Sequence, residues 1–318
     1  MRRLVIGTRG SELALWQANH VRDALRARGD GLEVTLEIIR TTGEEAVEDP
    51  LYHMLDKGLF TRQIEQALLD GRVDLAVHSL KDLPTQLPDG LEIAAVTARE
   101  DPADVLVAKD GLTLDRLPEG AAVLTGSLRR RSQLLHLRPD LRVPPVRGNV
   151  PTRLRKLAES DAAATIMARA GLVRLALEGH ITERLEPTEF LPACGQGALA
   201  LQVRCGDDGV RELVAPLNDP QTRHAVSAER AFLADLQGGC QVPLGAYAQV
   251  ADNGTSLRMM GMVASLDGVR LLRAAGSVPL DGPDAPGQLG RKLAADLRAA
   301  GCQEILDSVA RNRAEADR

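Results

Sequence analysis

The sequence predicts an α/β fold of two tandem lobes around a cleft, followed by a small α+β domain. Three patterns carry that reading. Short apolar strands alternate with amphipathic helices through the first two hundred residues; the alternation restarts near Ala103; and beyond Pro220 it gives way to a helix and period-two strands separated by turn residues. With 318 residues and 44% hydrophobic content, the chain can fill two or three cores.

The first stretch reads β-α-β-α-β. Residues 4–6 form a short strand, Gly7 to Gly10 a turn, and Ser11 the cap of a helix with Leu13, Trp16, Val21 and Leu25 near one face. Val34, Leu36 and Ile38 alternate as a strand. A helix over 61–69, with Ile64, Ala67 and Leu68 inward, closes at Gly71. A strand over 73–77 then empties into His78-Ser79-Leu80-Lys81-Asp82-Leu83-Pro84, where Pro84 and Pro88 stop any helix and leave Lys81 and Asp82 on a loop.

The second stretch begins with a strand over 105–108 and continues through strand-to-helix units at 123–131, 143–153 and 165–174. Residues 197–204 alternate like one more strand, expected to cross back into the first lobe. After a helix from Pro220 to about Leu236, strands over 247–250, 257–263 and 269–274 read as a meander with Asn253-Gly254 and Asp267-Gly268 turns, and a helix over 288–300 ends the domain.

Four of these strands run straight into arginine: Arg9 after 4–6, Arg129, Arg130 and Arg131 after 123–124, Arg147 and Arg153 after 143–146, and Arg169 and Arg174 after 165–167. The carboxyl ends of strands line the crevice of an open α/β sheet, so a small ligand rich in carboxylates or phosphates is expected there. The chain carries 39 Lys plus Arg against 44 Asp plus Glu, a net of -5, and only 2% aromatic residues. A generally basic or base-stacking surface is therefore absent, which argues against a nucleic-acid partner.

Thr125-Gly126-Ser127 leads into Arg129 and Arg130 at a helix start, where free N–H groups add to the guanidiniums in attracting anions. The ordinary alternative is a solvated basic face; the parallel Arg147-Gly148-Asn149-Val150-Pro151-Thr152-Arg153 weighs against it. Asp82 reads either as a turn carboxylate or as an acid aimed into the crevice, able to stabilise a cation or move protons. Of the four cysteines, Cys194, Cys205 and Cys302 read as ordinary buried thiols, whereas Cys240, between Gly238-Gly239 and Gln241-Val242-Pro243, reads as an exposed loop tip suited to a nucleophile or an attachment point. No Cys/His metal spacing, Walker A, HExxH or GxSxG sequence occurs, and Gly195-Gln196-Gly197 lacks the strand and helix a dinucleotide fingerprint needs. The polar start and the lack of a long apolar run predict a cytoplasmic protein with reduced thiols and no membrane segment.

Taken together, Thr8-Arg9-Gly10-Ser11, Val77 to Pro84, Gly126 to Arg130, Arg147 to Val150, Leu191-Pro192-Ala193-Cys194-Gly195-Gln196-Gly197 and Gly238 to Pro243 closely resemble the porphobilinogen deaminase (hydroxymethylbilane synthase) family, in order and from residue 4 to past 250. The resemblance implies two lobes like those of type II periplasmic binding proteins, 1–97 with 198–216 and 98–197, and a third domain over 217–318. It implies a monomeric transferase without metal, condensing four porphobilinogen molecules head to tail into hydroxymethylbilane for heme-type biosynthesis, with release of ammonia. Cys240 would hold a dipyrromethane cofactor through a thioether, with Lys81, Ser127, Arg129, Arg130 and Ser11 as cofactor contacts. Arg9, Arg147, Arg153, Arg174 and Lys57 would bind substrate, and Asp82 would be the catalytic acid. The chain departs from the family pattern at His53, at Leu55-Asp56-Lys57-Gly58, at Pro151 and at Cys194. A non-enzymatic two-lobed binding protein for a polyanionic metabolite would also use the arginines, but it has no use for Cys240 or the Lys81-Asp82 pair. A transferase with a transient thiol intermediate predicts no permanent adduct.

Overall fold

The computed structural model describes residues 2–28, 31–40, 61–237 and 242–316. Lys57 and Cys240, the altered stretch 53–58 and the Gly238-Gly239 pair lie outside them. Contacts divide the chain into two compact units, the first containing Gly197–Arg223 in addition to the amino-terminal stretch, the second containing Asp101–Gln196 and His224–Arg318.

The first unit is built from β1 (Arg2–Thr8), α1 (Glu12–Arg26), β2 (Leu32–Ile38), α2 (Arg62–Leu69), β3 (Leu75–Ser79) and β4 (Leu91–Val96), joined later by β9 (Leu199–Arg204) and α6 (Asp208–Val214). Its sheet has the order β2-β1-β3-β9-β4. β1 runs parallel to β2 and β3, while β9 inserts antiparallel between β3 and β4. The strand read over 197–204 therefore does return to the first sheet. Helices cover both faces, which is why the strands read as near-continuous apolar runs. Leu4, Ile6, Leu75 and Val77 pack with Ala18, Val21 and Leu25 of α1, whereas Ala76 and Leu91 pack with Ile64, Ala67 and Leu68 of α2. Trp16 does not share the inward face of α1. The buried stripe is Ala14, Gln17, Ala18, Val21 and Leu25, and Trp16 stacks outward on His20 with ring centroids 5.0 Å apart.

In the second unit, β5 (Asp104–Ala108), β6 (Val123–Leu124), α3 (Leu128–Leu137), α4 (Val150–Glu159), β7 (Ala164–Ala168), α5 (Arg169–Arg174) and β8 (Glu183–Arg184) give a sheet of order β6-β7-β5-β8. Alternate strand residues feed two clusters, Leu106, Val123 and Ile166 packing with Leu134 of α3, and Val105, Val107 and Met167 with Leu157 and Leu172 of α4 and α5. The expected strand over 143–146 does not form. One of its carbonyls does accept from the residue after β6, Thr125 N–H to Pro144 O at 3.1 Å, but Pro144 and Pro145 have no N–H to return.

The remainder consists of α7 (Pro220–Asp235), β10 (Leu244–Ala251), β11 (Ser256–Ala264), β12 (Leu271–Pro279), α8 (Ala285–Ala299) and α9 (Cys302–Ala316). The three strands form the expected antiparallel meander, and α7 and α8 press Phe232, Leu289, Leu293 and Leu297 onto one face of it. The second terminal helix is an addition to the reading: Gly301, at φ +86°, turns the chain, and Cys302, Ile305 and Val309 supply a fresh buried stripe. Cys194 and Cys302 are buried as expected; Cys205, at the end of β9, is exposed.

The α7–α8 contact depends on a missing side chain. A Cβ on Gly290 would stand 2.2 Å from the Ala228 carbonyl oxygen and 2.9 Å from the Phe232 nitrogen. Gly290→Ala should therefore lower the unfolding free energy by about 1–3 kcal/mol, despite the gain in helix propensity, as measured by urea denaturation.

Candidate functional site

Two clusters of chemistry-bearing residues form, one in each unit. In the first, β1 and β3 lie side by side and parallel, so the chain leaves the same edge of the sheet twice. Arg9 follows β1; Ser79 ends β3, and Leu80–Asp82 form a single 3-10 turn. Arg9, Gln17, Thr61, His78, Ser79 and Asp82 line one pocket, with Ala14, Ile64 and Val77 as its apolar wall. Asp82 and Lys81 are half-buried. The turn cannot grow into a helix because Pro84 lies two residues on, so Asp82 stays at the pocket instead of being carried off along a helix.

The pocket's framework is polar behind its surface. Gln17, 3% exposed on α1, donates to Ser79 Oγ at 2.8 Å, joining the helix to the strand that carries Asp82. Ser11 accepts from the Ala14 N–H as the α1 cap, as its sequence position predicts. His78 is buried, with Nε2 3.0 Å from Gln202 Oε1. Burial pushes its imidazole down to about pKa 4; Arg9 adds to that fall, and the Gln202 bond opposes it. The ring is neutral near pH 7.

In the second unit, Ser127 caps α3 by accepting from the Arg130 N–H, and Thr125 Oγ1 accepts from the Ser127 N–H. Gly126 is required between them, since a Cβ there would meet the Val146 carbonyl oxygen at 2.8 Å. The first turn of α3 then sends Arg129 and Arg130 inward. This differs from the expectation of guanidiniums standing open along a cleft: each residue is 5% exposed, and both hold Asp104, which is fully buried at the head of β5. Arg129 Nη1 donates to Asp104 Oδ2 at 2.7 Å and to the Leu191 carbonyl at 2.6 Å. Arg130 donates to Asp104 Oδ1 through Nη2 at 2.7 Å and Nε at 3.1 Å, and through Nη1 to the Ile166 carbonyl. Gln196 Nε2 adds a third donor to Asp104 Oδ1 at 2.9 Å.

Burial alone would raise the Asp104 pKa; the charges of Arg129 and Arg130 overcome it and hold the carboxyl well below its usual range. Two guanidiniums share this one carboxylate, so the trio retains a positive charge. Arg174 is also buried, Arg147 and Arg153 are half-buried, and Arg153 Nε donates to the Gly148 carbonyl at the head of α4, where Asn149 caps the helix and Pro151 opens it. Arg131 points elsewhere, to the Leu266 carbonyl, and Arg169 pairs with Asp101. Reading the sequence missed Asp104, Gln196 and Gln17. An acid opening the apolar run Asp104–Ala108 was the available signal; Gln196 stood within the 191–197 motif without a role assigned to it.

Each cluster by itself offers positive charge to a carboxylate: the first sets a guanidinium beside an acid in one pocket, and the second sets a positively charged trio under a helix start. No group of three or more His, Cys, Asp or Glu side chains able to hold a metal occurs among the described residues. Nor is any described helix long and apolar enough to cross a membrane.

Comparison with known proteins agrees with this chemistry. Residues 4–212 match the family model for the porphobilinogen deaminase, dipyromethane cofactor binding domain, and 224–299 match the porphobilinogen deaminase C-terminal domain. The porphobilinogen deaminase of Syntrophobacter fumaroxidans is 49% identical over 308 residues, 96% of this chain and 97% of the relative. That of Desulforudis audaxviator is 50% identical over 308 residues, 97% and 98% of the two chains. Among solved structures, the periplasmic VFT2 domain of Bordetella pertussis BvgS aligns at 15% identity and a TM-score of 0.40, over 67% of this chain and 85% of that one. The chain belongs to the porphobilinogen deaminase family.

Removing the shared carboxylate should be costly. Asp104→Asn leaves two buried guanidiniums without their counter-ion, with an expected loss of about 3–5 kcal/mol by chemical denaturation near pH 7. Because the folded pKa is depressed, the wild-type contribution is complete above the unfolded value of about 3.9 and is lost as pH falls through the folded one, so the variant's stability should be less acid-dependent there.

Proposed function

We propose that this protein is a porphobilinogen deaminase, a transferase that condenses four porphobilinogen molecules head to tail on a covalently held dipyrromethane primer, with loss of ammonia at each addition, and hydrolyses the chain to hydroxymethylbilane for tetrapyrrole synthesis. The observation that carries the reading is Asp82 sharing a pocket with Arg9 in a chain that matches the family from end to end. We place it in the cytoplasm as a monomer that needs no metal.

The residues fit the cofactor. Its pyrrole carboxylates would meet Ser127 and the positively charged Arg129–Arg130–Asp104 trio, with Lys81 and Ser11 as further contacts and Cys240 Sγ as the thioether atom. When bound, dipyrromethane would supply the terminal pyrrole carbon to which the first substrate ring is joined, each later ring joining the one before it. The other work falls to side chains. Arg9, Arg147, Arg153, Arg174 and Lys57 would bind substrate carboxylates, which compensates the charge that accumulates as rings are added. Asp82 would accept hydrogen bonds from pyrrole N–H groups, offset the positive charge that develops when the amine leaves, and take the proton displaced by the new carbon–carbon bond. The neutral His78 adds no cation to the pocket that Asp82 shares with Arg9. A non-enzymatic binding protein would use the arginines alone and has no role for Asp82 beside them.

Two measurements check this. The intact mass of the denatured protein should exceed that of Cys240→Ser by one dipyrromethane; equal, unmodified masses from cells able to make porphobilinogen contradict the reading. Asp82→Ala should keep the cofactor mass and the fold but lose at least about 100-fold in porphobilinogen consumption, the usual scale for a positioned acid or base.

A further inference from the structure

Behind the Asp82 pocket, four buried side chains from three elements form one chain of hydrogen bonds. Thr61 Oγ1 donates to Glu65 Oε2 at 3.1 Å, Gln202 Nε2 donates to Glu65 Oε1 at 3.1 Å, and His78 Nε2 lies 3.0 Å from Gln202 Oε1. None is more than 5% exposed. Thr61 and His78, the two ends, both line the pocket that Arg9 and Asp82 share; Glu65 and Gln202 lie behind it. A set of apolar side chains of the same shape would avoid the cost of desolvating a carboxylate, an amide and an imidazole. The network therefore calls for a reason other than stability.

Its polarity supplies one. The Glu65 carboxylate can only accept, so Gln202 must turn its amide nitrogen toward it. The Gln202 carbonyl then faces His78, which must carry its proton on Nε2 to donate. Each choice dictates the next, and the direction is set at Glu65. Among the described residues, the charged side chains that share the pocket or reach the ring through Gln202 are Arg9 after β1, Glu65 on α2 and Asp82 beyond β3.

We propose that the Thr61–Glu65–Gln202–His78 relay is a positioning device for the Asp82 pocket, fixing a neutral His78 in its Nε2–H tautomer so that one wall presents a single, preset pattern of donor and acceptor. His78 is then a positioning residue for the reaction, an inference that rests on the functional reading above. A wall with a fixed dipole costs no reorganisation when charge develops on the bound ring, whereas an imidazole free to exchange tautomers must be reoriented at each addition.

Glu65→Gln tests the direction without removing volume. Glutamine can donate as well as accept, so Gln202 is free to turn over and present its amide nitrogen to His78, whose proton then moves to Nδ1. The full-length protein as purified, with its six histidines labelled with nitrogen-15, reports the tautomer, and porphobilinogen consumption reports kcat and KM. The wild type should show His78 as the Nε2–H form. Glu65→Gln should show the Nδ1–H form, with kcat lowered about ten-fold and KM within about two-fold, the scale of an outer-layer partner. His78→Gln, whose side-chain amide can donate from the Nε2 position, should recover part of the activity that His78→Leu loses. Unchanged kcat in Glu65→Gln despite a tautomer shift, or a kcat loss with the tautomer unmoved, overturns the proposal. So does a wild-type ring protonated on Nδ1, whatever the activity. A wild type that shows the Nε2–H form but consumes no porphobilinogen instead overturns the functional reading, and the claim for turnover with it.

Discussion

The buried guanidiniums of the second unit depend on one carboxylate. Asp104, at the head of β5, is where Arg129, Arg130 and Gln196 converge from the first turn of α3 and from the segment after Leu191. A lone guanidinium in so dry a place would be held neither in orientation nor in charge; burial already pulls the Arg129 pKa down, and the Asp104 charge works against that fall. A second carboxylate would solve the solvation problem and cancel the charge. One acid between two guanidiniums is the compromise that keeps both rigid and leaves positive charge for an anion. The helix start adds to the same field, since Ser127 accepts only the Arg130 N–H and the dipole of α3 has its positive end at that turn.

The first unit solves a different problem. Asp82 shares its pocket with Arg9 and with a histidine that burial keeps neutral. The strands make this economical. β1 and β3 are adjacent and parallel, and inserting β9 beside β3 brings Gln202 diagonal to His78, in a register that pairs Ala200 with His78 and Ala76 with Gln202. A residue two places along the neighbouring strand lies within reach of a long side chain, which is how a glutamine from the returning strand supports a histidine on the outgoing one.

What could be read from the sequence follows the range of the forces involved. The strand-turn-helix unit at 123–137 and the helix over 150–159 were legible because Ser127 and Asn149 each accept an N–H three residues on, and Pro151 presets the backbone of the first helical turn. The false strand over 143–146 has apolar residues in strand-like company, but two prolines deprive it of donors. Trp16 fell on the wrong face because the spacing that joins it to Leu13, Val21 and Leu25 is loose, and the stripe that fits the core is Ala14, Gln17, Ala18, Val21 and Leu25. The second terminal helix was hidden by Gly301, which ends one helix and starts the next. For the site, Asp82 and the arginines showed themselves through motif position. Their partners did not, for Asp104 lies 25 residues from Arg129 and Gln202 lies 124 from His78. Pairings that long are set by sheet order, and no local spacing encodes sheet order.

Three buried acids in this chain show how the identity of the donor decides what a carboxylate is for. Glu229, fully buried on α7, accepts the Gly195 N–H at 2.7 Å and the Ala248 N–H at 2.9 Å, so it fastens the 191–197 segment to β10 through backbone groups that cannot leave. Glu65 accepts from a hydroxyl and an amide, neutral side chains that can rotate, and its effect is to orient them. Asp104 accepts from two cations, and its effect is to fix charge. Backbone donors make a carboxylate a brace, neutral side chains make it a compass, and guanidiniums make it a counter-ion. Only the last two leave something for a ligand to feel, a set dipole in the Asp82 pocket and a net charge beneath α3, and those are the two properties a ring carrying both N–H groups and carboxylates can use.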